Sequence, residues 1–264
     1  MSSGVKALIP AAGFGKRLAH LSHSGHKELM TVGRLTMIEH TLDMVADSGV
    51  TEVALVVRPG KEAIIETAET FWTRKASGAP PLVILWQDPP RGVADAMALA
   101  DAFAGNDPLA VLMPDTLLLG PTPALARMIE VFQQCRDHVI GVIPLPPERT
   151  GLFGNVGRMT IARDTDGPPR VLTFSPKGKG TIDAPGPGTY YKGLTGVIYL
   201  PGWADRIKNL TPNLENEIDD TDLVTDLVRE QRLYAAILDG QGFDLGNEKG
   251  LAAARRAVVS EGLV

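Results

Sequence analysis

The sequence predicts an α/β fold: a single three-layer domain with a mixed, mainly parallel sheet between two layers of helices. Three observations indicate this class. Short β-branched or aliphatic runs alternate with helical patterns through the first half, which is typical of βαβ units. The 264 residues are 44% apolar, enough to bury a large core. No internal repeat or long linker divides the chain, so we expect one domain over residues 1–264.

The elements of the first half follow in βαβ order. Residues 36–48 predict an amphipathic helix, because Thr36 and Glu39 have the spacing of a capping box and Gly49 follows as a stop. Residues 53–57 form a β-branched run that predicts a strand. The other predicted elements are strands at 5–9, 82–86 and 109–113, and helices at 61–76 and 93–104.

Glycines and prolines interrupt the second half, where the patterns are shorter. We predict helices at 124–136, 222–232 and 248–260, and strands at 139–144, 156–162, 171–174, 197–200 and 233–238. A Rossmann-like half, residues 1–120, is therefore expected to precede a half, residues 121–264, that adds further strands and a C-terminal helix.

Composition excludes several classes of function. The net charge of −5 argues against a nucleic-acid partner. Cys135 is the only cysteine, so no intrachain disulfide can form, which favours a reducing compartment. No apolar run approaches the roughly 18 residues of a membrane helix, and the first residues lack the apolar core of a signal peptide. We expect a cytoplasmic protein with neither nucleic-acid nor membrane partners.

The stretch IPAAGFGKRL follows the first predicted strand, at the sheet edge where α/β proteins bind ligands. It fits neither the Walker loop nor the dinucleotide fingerprint, because Leu18 stands where the latter needs a third glycine. Gly13 and Gly15 would let backbone N–H groups wrap an anion, and Lys16 and Arg17 would suit a polyphosphate. The alternative is a tight turn with two solvated charges.

Three polar residues follow other predicted strands. Asp115 ends the strand at 109–113, and Asp244 follows the strand at 233–238. Two carboxylates with phosphate oxygens would form the oxygen shell that Mg²⁺ prefers, although each could instead cap a loop. Gln87 carries an amide that can donate and accept in one plane, which fits the O4 and N3–H edge of uracil or thymine. Its alternative is an exposed loop glutamine.

Taken in order, eight segments resemble the sugar-1-phosphate nucleotidylyltransferases, also called nucleoside-diphosphate-sugar pyrophosphorylases. The resemblance covers nearly the whole chain and is greatest to bacterial uridylyltransferases acting on glucose 1-phosphate, with thymidylyltransferases next. The segments are IPAAGFGKRL, HKELMTVGRLTMIEHTL, DSGVTEVALVV, QDPPRGVADAM, VLMPDTLL, GLTGVIYL, NEIDDTD and GQGFDLGN.

This resemblance implies a fold of the nucleotide-diphospho-sugar transferase type and a homo-oligomer. It implies transfer of a nucleotidyl group from UTP or dTTP to a sugar 1-phosphate, with Mg²⁺ as cofactor. Arg17 would grip the leaving phosphates, Lys27 would bind both reacting phosphates, and Asp115 and Asp244 would hold the metal. The implied nucleotide-binding residues are Ala11, Ala12, Gly13, Gly15, Lys16, Gln87 and Gly92. The implied sugar-phosphate residues are Gly154, Lys177, Lys192, Thr195, Gly196 and Glu217.

One departure from the family pattern leaves the acceptor open. The family has Glu-Lys-Pro where this chain has Ser175-Pro176-Lys177-Gly178. Either Lys177 or Lys192 could supply the expected cation, and the glutamate has no counterpart. Three alternatives therefore stand beside glucose 1-phosphate: another acceptor, such as phosphocholine with CTP or a less common sugar phosphate; a non-catalytic nucleotide-sugar-binding protein; and a retaining glycosyltransferase, which would not explain the GKR sequence.

Overall fold

A computed structural model describes residues 4–22, 25–75, 79–154, 157–162, 167–175, 190–212, 217–260 and 262. The helices are α1 (Met37–Ala46), α2 (Glu62–Lys75), α3 (Val93–Leu99), α4 (Asp101–Ala104), α5 (Ala124–Cys135), α6 (Trp203–Ile207), α7 (Thr221–Arg229) and α8 (Glu248–Ser260). The strands are β1 (Lys6–Pro10), β2 (Thr31–Val32), β3 (Leu35–Thr36), β4 (Val53–Val57), β5 (Leu82–Trp86), β6 (Leu109–Leu112), β7 (Thr116–Leu119), β8 (His138–Pro144), β9 (Arg158–Ala162), β10 (Arg170–Ser175), β11 (Tyr191–Tyr199), β12 (Leu233–Ile237) and β13 (Gln241–Asp244).

The main sheet confirms the predicted mixed α/β class, but it is not mainly parallel, because its described neighbouring strands form four parallel and four antiparallel pairs. Its strand order is β5-β4-β1-β6-β11-β8-β12-β10-β9. The first four strands in that order are parallel. Strand β11 runs antiparallel to both β6 and β8, whereas β12 is parallel to β8. The Rossmann-like part thus lies in the first half, and antiparallel pairing enters with the second.

The two faces of this sheet carry separate apolar cores, which gives the three layers. Along β1, Ala7 and Ile9 face one core and Leu8 faces the other, as the period of two in a strand requires. Helices α1, α2 and α5 cover the first face. Helices α3, α4, α6 and α7 cover the second. A parallel sheet buried on both faces explains why β4 is an unbroken apolar run.

The helix predicted after the first strand begins as expected. The Thr36 hydroxyl accepts from the Glu39 backbone N–H at 3.3 Å, and Glu39 Oε2 accepts from the Thr36 backbone N–H at 2.8 Å. This capping box satisfies donors that the first turn leaves without partners. Gly49 then turns the chain away with a φ of +81°. None of the described helices is long and apolar enough to cross a bilayer.

Several elements differ from the sequence prediction. The helix expected at 93–104 is two helices that meet at Ala100. Strand β11 begins at Tyr191 and not at 197. The sequence did not show the earlier start, because the register shifts between Gly193 and Val197 and interrupts the alternating pattern of a strand. The sequence also missed α6 and the short strands β2, β3, β7 and β13, whose patterns span only two to five residues.

Strands β7 and β13 form a two-stranded sheet beside the main one. It packs with α8, β2 and the buried Leu18 in a third apolar cluster. In this ladder Asp244 lies opposite Thr116. The pairing therefore brings residues near 115 and 244 together at the same edge of the molecule.

Candidate active site

The glycine-containing loop begins where β1 ends. The Ala11 backbone N–H donates to the Val56 carbonyl at 2.8 Å, so the loop starts tied to the neighbouring strand. Gly15 adopts the left-handed conformation, with φ 66° and ψ 24°. A Cβ at Gly15 would lie 3.4 Å from Cγ of Lys27. The loop therefore packs directly against the Lys27 side chain.

A buried ion pair that sequence reasoning missed ties the loop to the Lys27 segment. Lys61 Nζ donates to the Ala11 carbonyl at 2.6 Å and to Glu28 Oε2 at 3.1 Å. Both charged residues are 1% exposed. Burial lowers the pKa of Lys61, and the charge of Glu28 opposes that effect. A lysine directly after Pro59–Gly60 was the one sequence signal, and it reads equally well as a surface charge.

Lys27 itself forms a second ion pair. Its Nζ lies 2.7 Å from Asp115 Oδ2, and both side chains are mostly buried. Burial alone would lower the pKa of Lys27, but attraction to Asp115 and Glu28 outweighs it and raises that pKa. Burial alone would raise the pKa of Asp115, but Lys27 outweighs it and holds that pKa low. Both groups are therefore charged at neutral pH.

Asp115 and Asp244 lie side by side, as the sequence predicted from their positions after strands. The Leu245 backbone N–H donates to the Asp115 carbonyl at 2.7 Å. A Cβ at Gly246 would lie 2.8 Å from Asp115 Oδ2 and 3.2 Å from Asp244 Oδ1. Glycine at this position therefore leaves open space between the two carboxylates.

The Asp244 carboxylate is held by backbone groups. It accepts from the Gly154 N–H at 2.8 Å and from the Gly246 N–H at 2.9 Å. Burial raises the pKa of Asp244, the charge of Asp115 raises it further, and the Gly154 hydrogen bond opposes both effects. When burial and a neighbouring carboxylate destabilise an ionised carboxylate, a bound cation stabilises it by neutralising its charge.

The Arg17 side chain lies next to Gly154, whose backbone N–H binds Asp244. A Cβ on Gly154 would lie 3.2 Å from Asn247 Nδ2 and 3.4 Å from Arg17 Nη1. The Arg17 charge acts to lower the pKa of both Asp115 and Asp244. Arg17 opens on a cleft of about 390 Å³ lined by Arg17, Leu18, Gly151, Gly154, Gly246, Asn247, Glu248 and Lys249. Lys16, which is exposed like Arg17, lies instead over the Phe14 ring, 5.7 Å from its centroid.

The residues expected on the acceptor side are only partly brought together. Thr195 has a φ of +74°, and Gly196 lies so close to the Val111 carbonyl that no Cβ would fit. The Thr195 carbonyl accepts from the Met113 N–H at 2.7 Å, which places this irregular turn of β11 two residues from Asp115.

Two lysines were proposed as the acceptor-side cation. The Lys192 ammonium donates to the Gly193 carbonyl at 3.1 Å, and its charge acts to lower the pKa of Asp244. Lys177 lies outside the described residues. Glu217 is exposed and precedes Ile218, whose backbone bonds to Arg91, so it lies beside the loop that follows β5.

Gln87 corrects a sequence expectation. It is 3% exposed, so the exposed-glutamine alternative is wrong. Its Nε2 donates to the Gly92 carbonyl at 3.0 Å and to Asp95 Oδ2 at 2.7 Å. Both amide hydrogens are therefore used inside the protein, which leaves the amide oxygen as the group that a base could meet. Gly92, with φ +104°, leaves no room for a Cβ beside the Ile218 carbonyl.

Among the described residues, few side chains that could bind a metal lie beside Asp115 and Asp244. Within the part of the chain that the structure describes, no three His, Cys, Asp or Glu side chains form a group that could hold a metal. Asp115 and Asp244 provide two carboxylates, which is an incomplete shell for a divalent cation. Further oxygens would have to come from a ligand.

Comparison with known proteins confirms the predicted family. The sequence profile of the nucleotidyl transferase family matches residues 6–261. The UTP–glucose-1-phosphate uridylyltransferase of Komagataeibacter xylinus is 26% identical over 265 residues, covering 92% of this chain and 89% of that protein. The enzyme of the same name in Bacillus subtilis strain 168 is 24% identical over 262 residues, covering 93% and 87%.

Two solved structures share the fold. A UDP-glucose pyrophosphorylase complexed with UDP-glucose has a TM-score of 0.81 at 20% identity, covering 99% of this chain and 100% of that one. A UTP-bound enzyme from Acinetobacter baumannii has a TM-score of 0.75 at 22% identity, covering 99% and 94%. Since the family profile spans nearly the whole sequence, the chain belongs to the nucleotidyl transferase family and is a nucleotidyltransferase.

Proposed function

We propose that the chain transfers a uridylyl or thymidylyl group from UTP or dTTP to a sugar 1-phosphate, preferably glucose 1-phosphate, and releases pyrophosphate. One observation carries this proposal. Two cations, Arg17 and Lys27, and two carboxylates, Asp115 and Asp244, meet at one edge although they come from distant segments. The names of the curated relatives support UTP and glucose 1-phosphate as the substrates.

The chemistry requires positioning more than activation. A sugar phosphate is already an anion, so it needs no protein base to attack the α-phosphorus of an NTP in line. What opposes the reaction is repulsion between that anion and the triphosphate. Lys27, held in its charged form by Asp115 and Glu28, would lie between the two anions and draw them together. Arg17, at the cleft, would bind the β- and γ-phosphates that leave.

The Asp115–Asp244 pair fits a hard divalent cation such as Mg²⁺. Both side chains offer oxygen donors, and Gly246 leaves the space between them clear. A bound Mg²⁺ would neutralise charge on the reacting phosphates. The protein groups would keep the two carboxylates oriented, through the Gly154 and Gly246 N–H groups on Asp244.

We also propose that the two halves of the chain bind different substrates. Residues 1–120 would bind the nucleotide through Ala11, Ala12, Gly13, Gly15, Lys16, Gln87 and Gly92. Residues 121–264 would bind the sugar phosphate through Gly154, Lys192, Thr195, Gly196 and Glu217. The nearness of Lys192 to Asp244 supports this assignment for the incoming phosphate. A cytoplasmic location and homo-oligomerisation stay predictions, to be checked by fractionation and light scattering.

The test is pyrophosphate release over a panel of UTP, dTTP and CTP with glucose 1-phosphate, galactose 1-phosphate and phosphocholine. We expect release with UTP or dTTP and a sugar 1-phosphate. Asp115→Asn and Lys27→Ala should each lower it by about a thousandfold. The controls are Asp101→Asn and Lys75→Ala, which change surface charges. Release only with CTP and phosphocholine, or equal rates in the site variants, would contradict the proposal.

A further inference from the structure

The amide of Gln87 is held in one orientation by two acceptors. The Gly92 carbonyl can only accept a hydrogen bond, and so can an ionised Asp95. The Gln87 NH₂ group must therefore face both of them. Exchanging the amide oxygen and nitrogen would place two oxygens against each other at 2.7 Å. These two hydrogen bonds therefore determine which side of the Gln87 amide is the nitrogen and which is the oxygen.

Asp95 is itself paired with Arg91. Arg91 Nε and Nη2 donate to Asp95 Oδ1 at 3.1 and 2.7 Å. The other carboxylate oxygen, Oδ2, accepts from Gln87. Asp95 is 8% exposed and lies in the first turn of α3, where a negative charge also complements the helix dipole. The carboxylate thus has one oxygen for the arginine and one for the glutamine.

The side-chain oxygen of Gln87 differs from the nitrogen in its hydrogen bonding. It accepts no hydrogen bond from the described residues, yet it is not among the buried polar atoms that lack a partner. It therefore reaches solvent at the carboxyl end of β5. Any ligand group that meets this oxygen must be a hydrogen-bond donor.

We propose that Asp95 is a specificity-determining positioning residue: by holding the Gln87 amide, it presents only an acceptor to the nucleotide base. Uracil and thymine carry a donor at N3–H, whereas cytosine carries an acceptor at N3. The locked amide therefore favours UTP and dTTP and opposes CTP. This inference rests on the proposed function, because it places the base against Gln87.

Nucleotide binding tests the inference without requiring turnover. Isothermal titration of the full chain with UTP and CTP should show UTP binding at least about tenfold more tightly. In Asp95→Asn, the new amide can donate to the Gln87 oxygen and let the Gln87 NH₂ turn to the base. The UTP-to-CTP affinity ratio should fall by about tenfold. A role in folding alone would weaken both nucleotides equally.

A variant cycle shows whether Asp95 acts through Gln87. Gln87→Ala should lower the same ratio, and adding Asp95→Asn to Gln87→Ala should change it no further. Asp101→Asn, an exposed acid on α4, is the matched control and should keep the wild-type ratio. An unchanged ratio in Asp95→Asn, or equal loss for both nucleotides, overturns the inference.

One measurement needs no variant and stands even if Asp95→Asn does not fold. The triphosphate of 3-deazauridine has a C–H in place of N3–H, so it should bind the wild-type protein about tenfold more weakly than UTP. Equal binding overturns the inference. If UTP is preferred over both CTP and the 3-deaza analogue, and Asp95→Asn lowers that preference, but no sugar phosphate is turned over, the proposed function fails and the role of Asp95 stands. If no nucleotide binds, both fail.

Discussion

Lys27 Nζ lies 2.7 Å from Asp115 Oδ2, although the two residues are 88 positions apart in the chain. This pair joins the group expected to bind phosphate to a group expected to bind a metal. A carboxylate oxygen in so close an ion pair is not fully free for a divalent cation. Lys27 and a bound metal therefore compete for the charge of Asp115.

Because Lys27 and a metal compete for Asp115, removing Lys27 should strengthen metal binding and weaken turnover. Lys27→Met removes the ammonium that is paired with Asp115, so Mn²⁺ should bind the free protein about tenfold more tightly. Turnover should fall, because the cation between the reacting phosphates is gone. Electron paramagnetic resonance of free Mn²⁺ measures the binding, with Lys16→Met as control. Weaker Mn²⁺ binding in Lys27→Met would show that the two cations do not compete.

The neighbouring cations of the glycine loop should differ in importance. Arg17 lines the cleft beside Gly154, whereas Lys16 lies over the exposed Phe14 ring. Arg17→Met should lower kcat/KM for the NTP by about a hundredfold, since a bidentate contact with phosphate is lost. Lys16→Met should lower it by less than about threefold. Initial rates of pyrophosphate release give both values. Equal losses would place the two side chains in the same role.

The buried Lys61–Glu28 pair should dominate local stability. Lys61→Met leaves Glu28 charged in the interior, which should reduce the free energy of unfolding by about 3–5 kcal/mol. The matched control is Lys75→Met, whose partner Asp43 is at the surface, with an expected cost under about 1 kcal/mol. Urea denaturation measures both.

A second substitution separates charge from packing at the same place. Adding Glu28→Leu to Lys61→Met removes the unpaired charge and should restore most of the lost stability. If the double variant is no more stable than Lys61→Met, the loss arises from the broken contact with Ala11 instead.

His138 should make stability depend on pH. Burial lowers its pKa to about 4, against an ordinary value of 6.5. Its neutral Nδ1 accepts the Leu200 N–H at 3.1 Å, which protonation would prevent. The unfolded chain takes up the proton below pH 6.5 and the folded chain does not, so stability present at neutral pH is lost as pH falls towards 4.

The size of this loss is about 3 kcal/mol for the full shift. His138→Asn keeps an acceptor for Leu200 but does not titrate in this range. The free energy of unfolding of the wild type should therefore fall by that much more than the variant's between pH 7 and 4. Parallel pH profiles for the two proteins would show that His138 does not carry the dependence.

Local sequence signals predicted much of the fold. Strand β4 and the capping box of α1 depend on contacts within a few residues, so the pattern was sufficient. Strands β7 and β13 were missed because each is four residues long and forms only through pairing with the other. Their pairing is also what sets Asp115 beside Asp244, which the positions after two predicted strands indicated only roughly.

The sequence by itself determined the class of fold, the phosphate-loop hypothesis, the family and the two aspartates. Only the tertiary structure decided which polar groups are buried and what they face. Nothing in the sequence marked Lys61 as an interior residue, yet it forms a buried ion pair with Glu28. Gln87 looked free to donate, and its amide is held by Asp95. The physical reason is that the cost of burying a polar group depends on partners distant in the chain, and no local pattern records them.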